Sequence, residues 1–245
     1  SIKQYYFVAS QEKNESQKQA AVLNLSNVYQ NTGRIDQAIE LLEKTIQKEK
    51  LTNAQKGLLY NNLGSNYFLN TRATKMKSYA FENAEKAFLK AVLLLEREPS
   101  QHEALTNSYR NLCKLNLERK NKQMALHYFE KAKHTFEKIP NPNPRKKAQF
   151  YFDEANMLFK QREITASSLA IERVFKTLIP AYSSAKTVLP NQSALYAETI
   201  LLDVLDLQAE LFLAQSQPKK ALESYALAFH IEALFQSLLV YENSK

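Results

Sequence analysis

The chain has 245 residues, a 44% hydrophobic fraction and a formal net charge of +8, which supplies enough apolar material for a buried core. With 3 Gly, 7 Pro and no Trp against abundant Ala, Leu, Lys, Glu and Gln, it lacks the turn residues of a hairpin-rich protein, and the expected class is all-α. The longest apolar run, Ala91 to Leu95, is far short of the roughly 20 residues a membrane helix needs. The positive charges are scattered among Lys/Glu-rich segments, whereas a nucleic-acid footprint should cluster on one face.

The opening residues Ser1 to Tyr6 have neither the basic head nor the sustained apolar stretch of a secretory leader, and Ser1-Ile2 has the look of a cut inside a longer chain. Ile2, Tyr6 and Ala9 fall at i, i+4 and i+7, one stripe of a helix, so residues 1–15 are predicted to be the second helix of a partial repeat. Residues 16–50 carry Leu25, Tyr29 and Gly33, then Ala38, Leu42 and Thr45. Residues 52–98 repeat the spacing with Tyr60, Leu63, Gly64 and Tyr67, then Ala84, Phe88 and Ala91; an inserted, mobile loop is expected over 70–77. Residues 100–139 give Tyr109, Leu112 and Cys113, then Ala125, Phe129 and Ala132.

A degenerate unit follows at 145–180, with Phe150, Phe152, Ala155, Leu158 and Phe159 on one helix and Leu169, Val174, Phe175 and Leu178 on the next. Residues 193–242 close the array with Ala209, Phe212, Ala221, Tyr225 and Ala228. Helix stops are marked by Asn31-Thr32-Gly33, Pro99, Pro140-Asn141-Pro142-Asn143-Pro144, Pro180, Pro190 and Pro218. The residues that open the second-helix stripes, Ile2 and the small Ala38, Ala84, Ala125 and Ala221, are separated by 36, 46, 41 and 96 residues, and the last interval leaves room for the degenerate unit.

This small-x-x-x-large-x-x-small recurrence resembles the tetratricopeptide repeat, whose period is about 34 residues. The resemblance implies an all-α, right-handed α–α superhelix, about five helix pairs plus a leading helix, as one solenoid domain over 1–245. Its first helices would line a concave face and carry the ligand contacts. With Val22, Tyr60, Tyr109 and Leu205 at the fourth position, the fifth and ninth positions are Leu23 and Asn27, Asn61 and Ser65, Arg110 and Lys114, and Asp206 and Glu210. The candidate partner-binding residues are therefore Asn27, Asn61, Ser65, Arg110, Lys114, Asp206 and Glu210. Arg110 and Lys114 resemble part of a carboxylate clamp that holds a peptide C-terminus, although Leu23 and Ser65 stand where that clamp has a Lys and an Asn, and a solvated basic patch is the simpler reading of the pair.

No catalytic, cofactor or metal chemistry is predicted. Glycines occur only at 33, 57 and 64, so phosphate-cradling loops, dinucleotide fingerprints and the serine elbow are missing. Cys113 fills the small-residue slot of its repeat, and a single cysteine suits a reducing compartment such as the cytoplasm. His127 and His134 lie two turns apart, about 10 Å of rise, too far to share one metal. Glu40/Glu43 and Glu96/Glu98 sit among lysines on outward faces.

The stretch Ala194-Leu195-Tyr196-Ala197-Glu198-Thr199-Ile200-Leu201-Leu202-Asp203-Val204-Leu205, continuing through Lys219 to Tyr225 and to Tyr241-Glu242-Asn243-Ser244-Lys245, resembles the tetratricopeptide segment that precedes the caspase-like CHAT domain of bacterial proteins. That resemblance implies a recognition array for a peptidase whose His/Cys dyad would lie beyond Lys245. The expected function is a scaffold for a protein or peptide, its ligand acidic or ending in a free carboxylate. A peptide-responsive array that changes curvature is the alternative. An RNA-binding helical repeat fits less well because Asp203, Asp206 and Glu210 oppose it.

Overall fold

The computed structural model describes residues 7, 15–48, 50–73, 77–183 and 188–243. The stripe Ile2, Tyr6 and Ala9 lies outside the described residues. Among the described residues there are ten α-helices, one short 3-10 turn and no strand. The helices are α1 (Glu15–Asn31), α2 (Ile35–Lys48), α3 (Asn53–Ala73), α4 (Lys77–Leu95), α5 (His102–Glu118), α6 (Lys122–Phe136), α7 (Pro144–Lys160), α8 (Ile164–Leu178), α9 (Thr199–Ala214) and α10 (Pro218–Asn243). The chain divides into two compact units, Ser1–Pro140 and Asn141–Lys245.

In the first unit α1 pairs with α2, α3 with α4 and α5 with α6. Each second helix also packs on the following first helix, and the first helices touch one another in the order α1, α3, α5. This is the packing of an α–α superhelix, in which each pair buries its apolar stripe against the next. The repeat signature supplies the fit. Leu25, Leu42 and Phe88 have no exposed surface, and neither do the small partners Ser26, Ala38, Ala84 and Ala125. Gly64 is required by close approach, because a Cβ there would lie 2.6 Å from two ring carbons of Phe88. Cys113 is buried in the corresponding slot of α5. The loop expected over 70–77 is shorter than the sequence suggested: α3 continues through Ala73 and α4 begins at Lys77, with residues 74–76 outside the described set.

In the second unit α7 pairs with α8 and α9 with α10, while α9 also contacts α7 and α8. The degenerate repeat is a well-formed pair. Its small slot on α8 is Ser167, fully buried, whose hydroxyl donates to the Ala155 carbonyl of α7 at 2.8 Å. That bond satisfies a polar group which would otherwise be costly to bury. Leu169, expected on the inward stripe, is 57% exposed; the buried face of α8 is Ser167, Ala170, Ile171, Val174, Phe175 and Leu178.

Four pairs share one turn. Gly33, Lys120, Arg162 and Ser216 have φ of 74°, 59°, 70° and 58°. The following residues Arg34, Asn121, Glu163 and Gln217 donate their N–H groups to Tyr29, Asn116, Leu158 and Phe212, five residues back. This six-to-one bond with a left-handed residue before it is the Schellman stop, which caps the last carbonyls of a helix and reverses the chain. Counting back from the turn places Tyr151 at the fourth position of α7, a register that composition alone did not supply.

Candidate functional site

In the first unit the candidate residues lie on α1, α3 and α5. Asn27 is exposed, while Asn61, Ser65, Arg110 and Lys114 are half-buried. The structure joins Asn61 and Ser65 into an inter-repeat network. The Asn61 Oδ1 accepts from Ser108 Oγ and from Asn111 Nδ2, each at 3.1 Å, and Asn111 Nδ2 also approaches Ser65 Oγ at 3.4 Å. The Asn61 oxygen thereby meets α5 through Asn111, while the single Ser108 proton is shared between it and the Ala104 carbonyl at 3.0 Å. The Asn61 Nδ2 makes no hydrogen bond among the described residues, so the amide offers donors to an incoming acceptor. Ser108 and Asn111 were missed in the sequence because they occupy positions beside, not on, the fifth-and-ninth stripe.

Arg110 and Lys114 sit one turn apart on α5. Arg110 Nη1 donates to Asn107 Oδ1 at 2.8 Å, so Asn107, Arg110 and Lys114 form one stripe at i, i+3 and i+7. Asn27 shares no hydrogen bond with the Asn61 network.

Tyrosines fasten the helices behind this face. Tyr67 on α3 donates to a carboxylate oxygen of Glu43 on α2, and Tyr109 on α5 donates to Glu96 at the end of α4. Burial, reinforced by those carboxylates, pushes both hydroxyls well above the ordinary phenol pKa. Lys90 Nζ lies 5.2 Å from the Tyr60 ring centroid and Lys131 Nζ 5.4 Å from that of Tyr109, covering the rings with aliphatic stems and charge.

In the second unit Asp206 and Glu210 are exposed on α9, one turn apart, with exposed Asp203 completing an acidic stripe. The turn at Arg162 adds two residues that sequence reasoning did not assign, Phe152 and Asn156 of α7, both half-buried at the fifth and ninth positions. At the start of α9, Glu198 caps the Ile200 N–H at 3.2 Å and accepts two bonds from Arg145 Nε at 3.1 and 3.0 Å. Burial opposes its charge, but Arg145 and the Ile200 N–H outweigh that and hold the carboxyl below its usual range. Among the described residues no cluster of three or more His, Cys, Asp or Glu side chains could hold a metal, and no helix is long and apolar enough to cross a membrane.

No protein-family model matches the chain, and no curated protein matches it. Solved structures do. BtubC from P. vanneervenii superposes with a TM-score of 0.67 at 13% identity, covering 96% of this chain and 88% of that one. The fold is of the tetratricopeptide type. The MamA RS-1 double mutant gives a TM-score of 0.50 at 13% identity, covering 89% and 97% of the two chains. A human IFIT1 dimer solved with PPP-AAAA gives 0.53 at 16% identity, covering 95% of this chain and 56% of that one. At such identities the likeness concerns the backbone arrangement.

Proposed function

We propose that this chain is a non-catalytic interaction scaffold that binds a protein or peptide partner against the first-helix face of its first unit. The observation that carries the proposal is the stripe of Asn107, Arg110 and Lys114 on α5, flanked on α3 by Asn61, whose oxygen accepts from Asn111 and whose N–H donors are unspent. Amide, guanidinium and ammonium donors then stand on the first helices of adjacent repeats, with no carboxylate at the fifth and ninth positions of α3 and α5. An acidic side chain or a C-terminal carboxylate is the complementary ligand, and Arg gives it directional hydrogen bonds.

The likeness of residues 194–245 to the segment preceding CHAT domains supports a role as the recognition part of a larger bacterial protein, acting in the cytoplasm. The gene sequence beyond Lys245 tests that context: a downstream His/Cys peptidase dyad supports it, and a stop codon removes it.

The binding proposal is tested by isothermal titration of an acetylated acidic pentapeptide, with a free or an amidated C-terminus, into wild type and Arg110→Ala/Lys114→Ala. The scaffold account expects the double variant to lose at least tenfold in affinity, about 1.4 kcal/mol. Equal affinity for both proteins would take these residues out of the site. A single-stranded RNA arm should show no binding at physiological salt, because RNA needs aligned basic side chains.

A further inference from the structure

A cavity of about 290 Å³ lies in the second unit, between α8 and the ends of α9 and α10. It is separate from the stripe described above. Ile171, Phe175 and Phe212 form one apolar wall, the exposed Leu169 and Val188 stand at its edge, and the rest of the lining is largely polar, with the charged Glu172 and Lys220 among it. Among the polar residues one is almost wholly buried. Gln208 lines this cavity and is only 4% exposed, yet its amide makes no hydrogen bond among the described residues. Neither amide atom of Gln208 is among the sealed atoms without a partner, so the surface the side chain retains opens into the cavity. Gln217 also lines the space, but its Oε1, which has no donor, is sealed and is not offered to a ligand there.

The repeat register sets Gln208 apart from its counterparts in the first unit. It precedes the small residue Ala209, in a slot that the buried Leu25, Leu63 and Leu112 fill in the first unit and that Glu154, paired with Arg173, fills on α7. A leucine there packs without a polar group to hydrate, whereas a largely buried amide gives up part of its hydration. The stability cost has a counterpart if a ligand supplies the missing partners. An amide side chain offers both an N–H and a C=O, the complement of a peptide bond. The hydrophobic wall beside it suits a bulky aliphatic or aromatic side chain, and the hydroxyls of Thr165 and Ser168 continue the polar edge for the next backbone group.

We infer that this cavity is a second peptide-binding site, in which Gln208 hydrogen-bonds a backbone amide while the adjoining apolar side chain enters between Phe175 and Phe212. The site belongs to the second unit and does not depend on Arg110 or Lys114. The test uses the full chain and two blocked amino acids, N-acetyl-leucine N-methylamide and N-acetyl-alanine N-methylamide, followed by ¹H–¹⁵N correlation spectra. The Gln208 side-chain amide signal is assigned by its loss in Gln208→Leu. The leucine compound should shift that signal saturably, the alanine compound should bind at least several-fold more weakly, and Gln208→Leu should weaken the leucine compound about tenfold or more. The same variant should unfold at higher temperature, because leucine fills this slot in the three repeats of the first unit without an amide to hydrate. A Gln208 signal that no compound shifts, or equal affinity in Gln208→Leu, would overturn the assignment and leave the amide satisfied by water alone. An unchanged result in Arg110→Ala/Lys114→Ala is required, so failure here is distinguishable from failure of the first site.

Discussion

Glycine at the shared turn offers a clean measure of what the repeat geometry costs. Lys120, Arg162 and Ser216 adopt the left-handed backbone that Gly33 adopts in the first pair, and all four residues are exposed. Left-handed backbone costs a residue bearing a Cβ about 1–2 kcal/mol. Replacing it by glycine relieves that strain but adds about 0.4–1 kcal/mol of unfolded-state freedom, leaving a net stabilisation of about 0.5–1 kcal/mol per site. The reverse change is controlled by the structure itself. A Cβ on Gly33 would meet no atom within 4 Å, so Gly33→Ala should destabilise through backbone strain alone, by a similar amount. Urea denaturation followed by far-ultraviolet circular dichroism should show Lys120→Gly raised by roughly 0.3 M in midpoint and Gly33→Ala lowered by a like amount, with unchanged slope. A lowered midpoint for Lys120→Gly, or no change for Gly33→Ala, would refute the shared Schellman geometry.

Three further outcomes are expected. Gly64→Ala should destabilise by about 1–3 kcal/mol despite the better helix propensity of alanine, since the new methyl strikes the buried Phe88 ring; thermal unfolding reads this, and a rise in Tm would show that the ring moves freely. Glu198→Gln should cost about 1 kcal/mol at neutral pH, a modest figure because Arg145 is 61% exposed. The carboxyl is held below its usual range, so its contribution is present above the unfolded pKa of about 4.3 and is lost as pH falls through the lower folded value; denaturation curves for wild type and variant should converge in acid. Tyr67 and Tyr109 have raised folded pKa values, so their contribution is intact below about pH 10 and is lost as pH climbs above it. The double variant Tyr67→Phe/Tyr109→Phe should therefore lose less stability than wild type between neutral and strongly alkaline pH.

The fold was legible where packing is strict. Ala38, Ala84, Ala125 and Ala221 announce themselves because a helix crossing tolerates only a small side chain there, and the large residues one turn on must fill the matching groove. Ser167 obscured the fourth pair because its hydroxyl reads as polar surface, while in the fold it donates to the Ala155 carbonyl and behaves as a small buried residue. The turns at Lys120 and Arg162 were invisible for a related reason: their left-handed backbone is imposed by helix pairing, and no glycine advertises it. At the candidate site, periodicity identified Arg110 and Lys114 as a stripe. It could not show that Asn61 is held by Ser108 and Asn111, since that contact joins residues 47 and 50 positions apart.

Chemical-shift mapping of the acidic pentapeptide on the isotope-labelled chain tests the interaction face most directly. The account predicts perturbations concentrated on Asn61, Ser65, Arg110 and Lys114, with Asn27 weaker and the second-helix residues Leu89, Leu93 and Leu126 unmoved. Shifts centred on those exposed leucines of α4 and α6, with α3 and α5 silent, would contradict it.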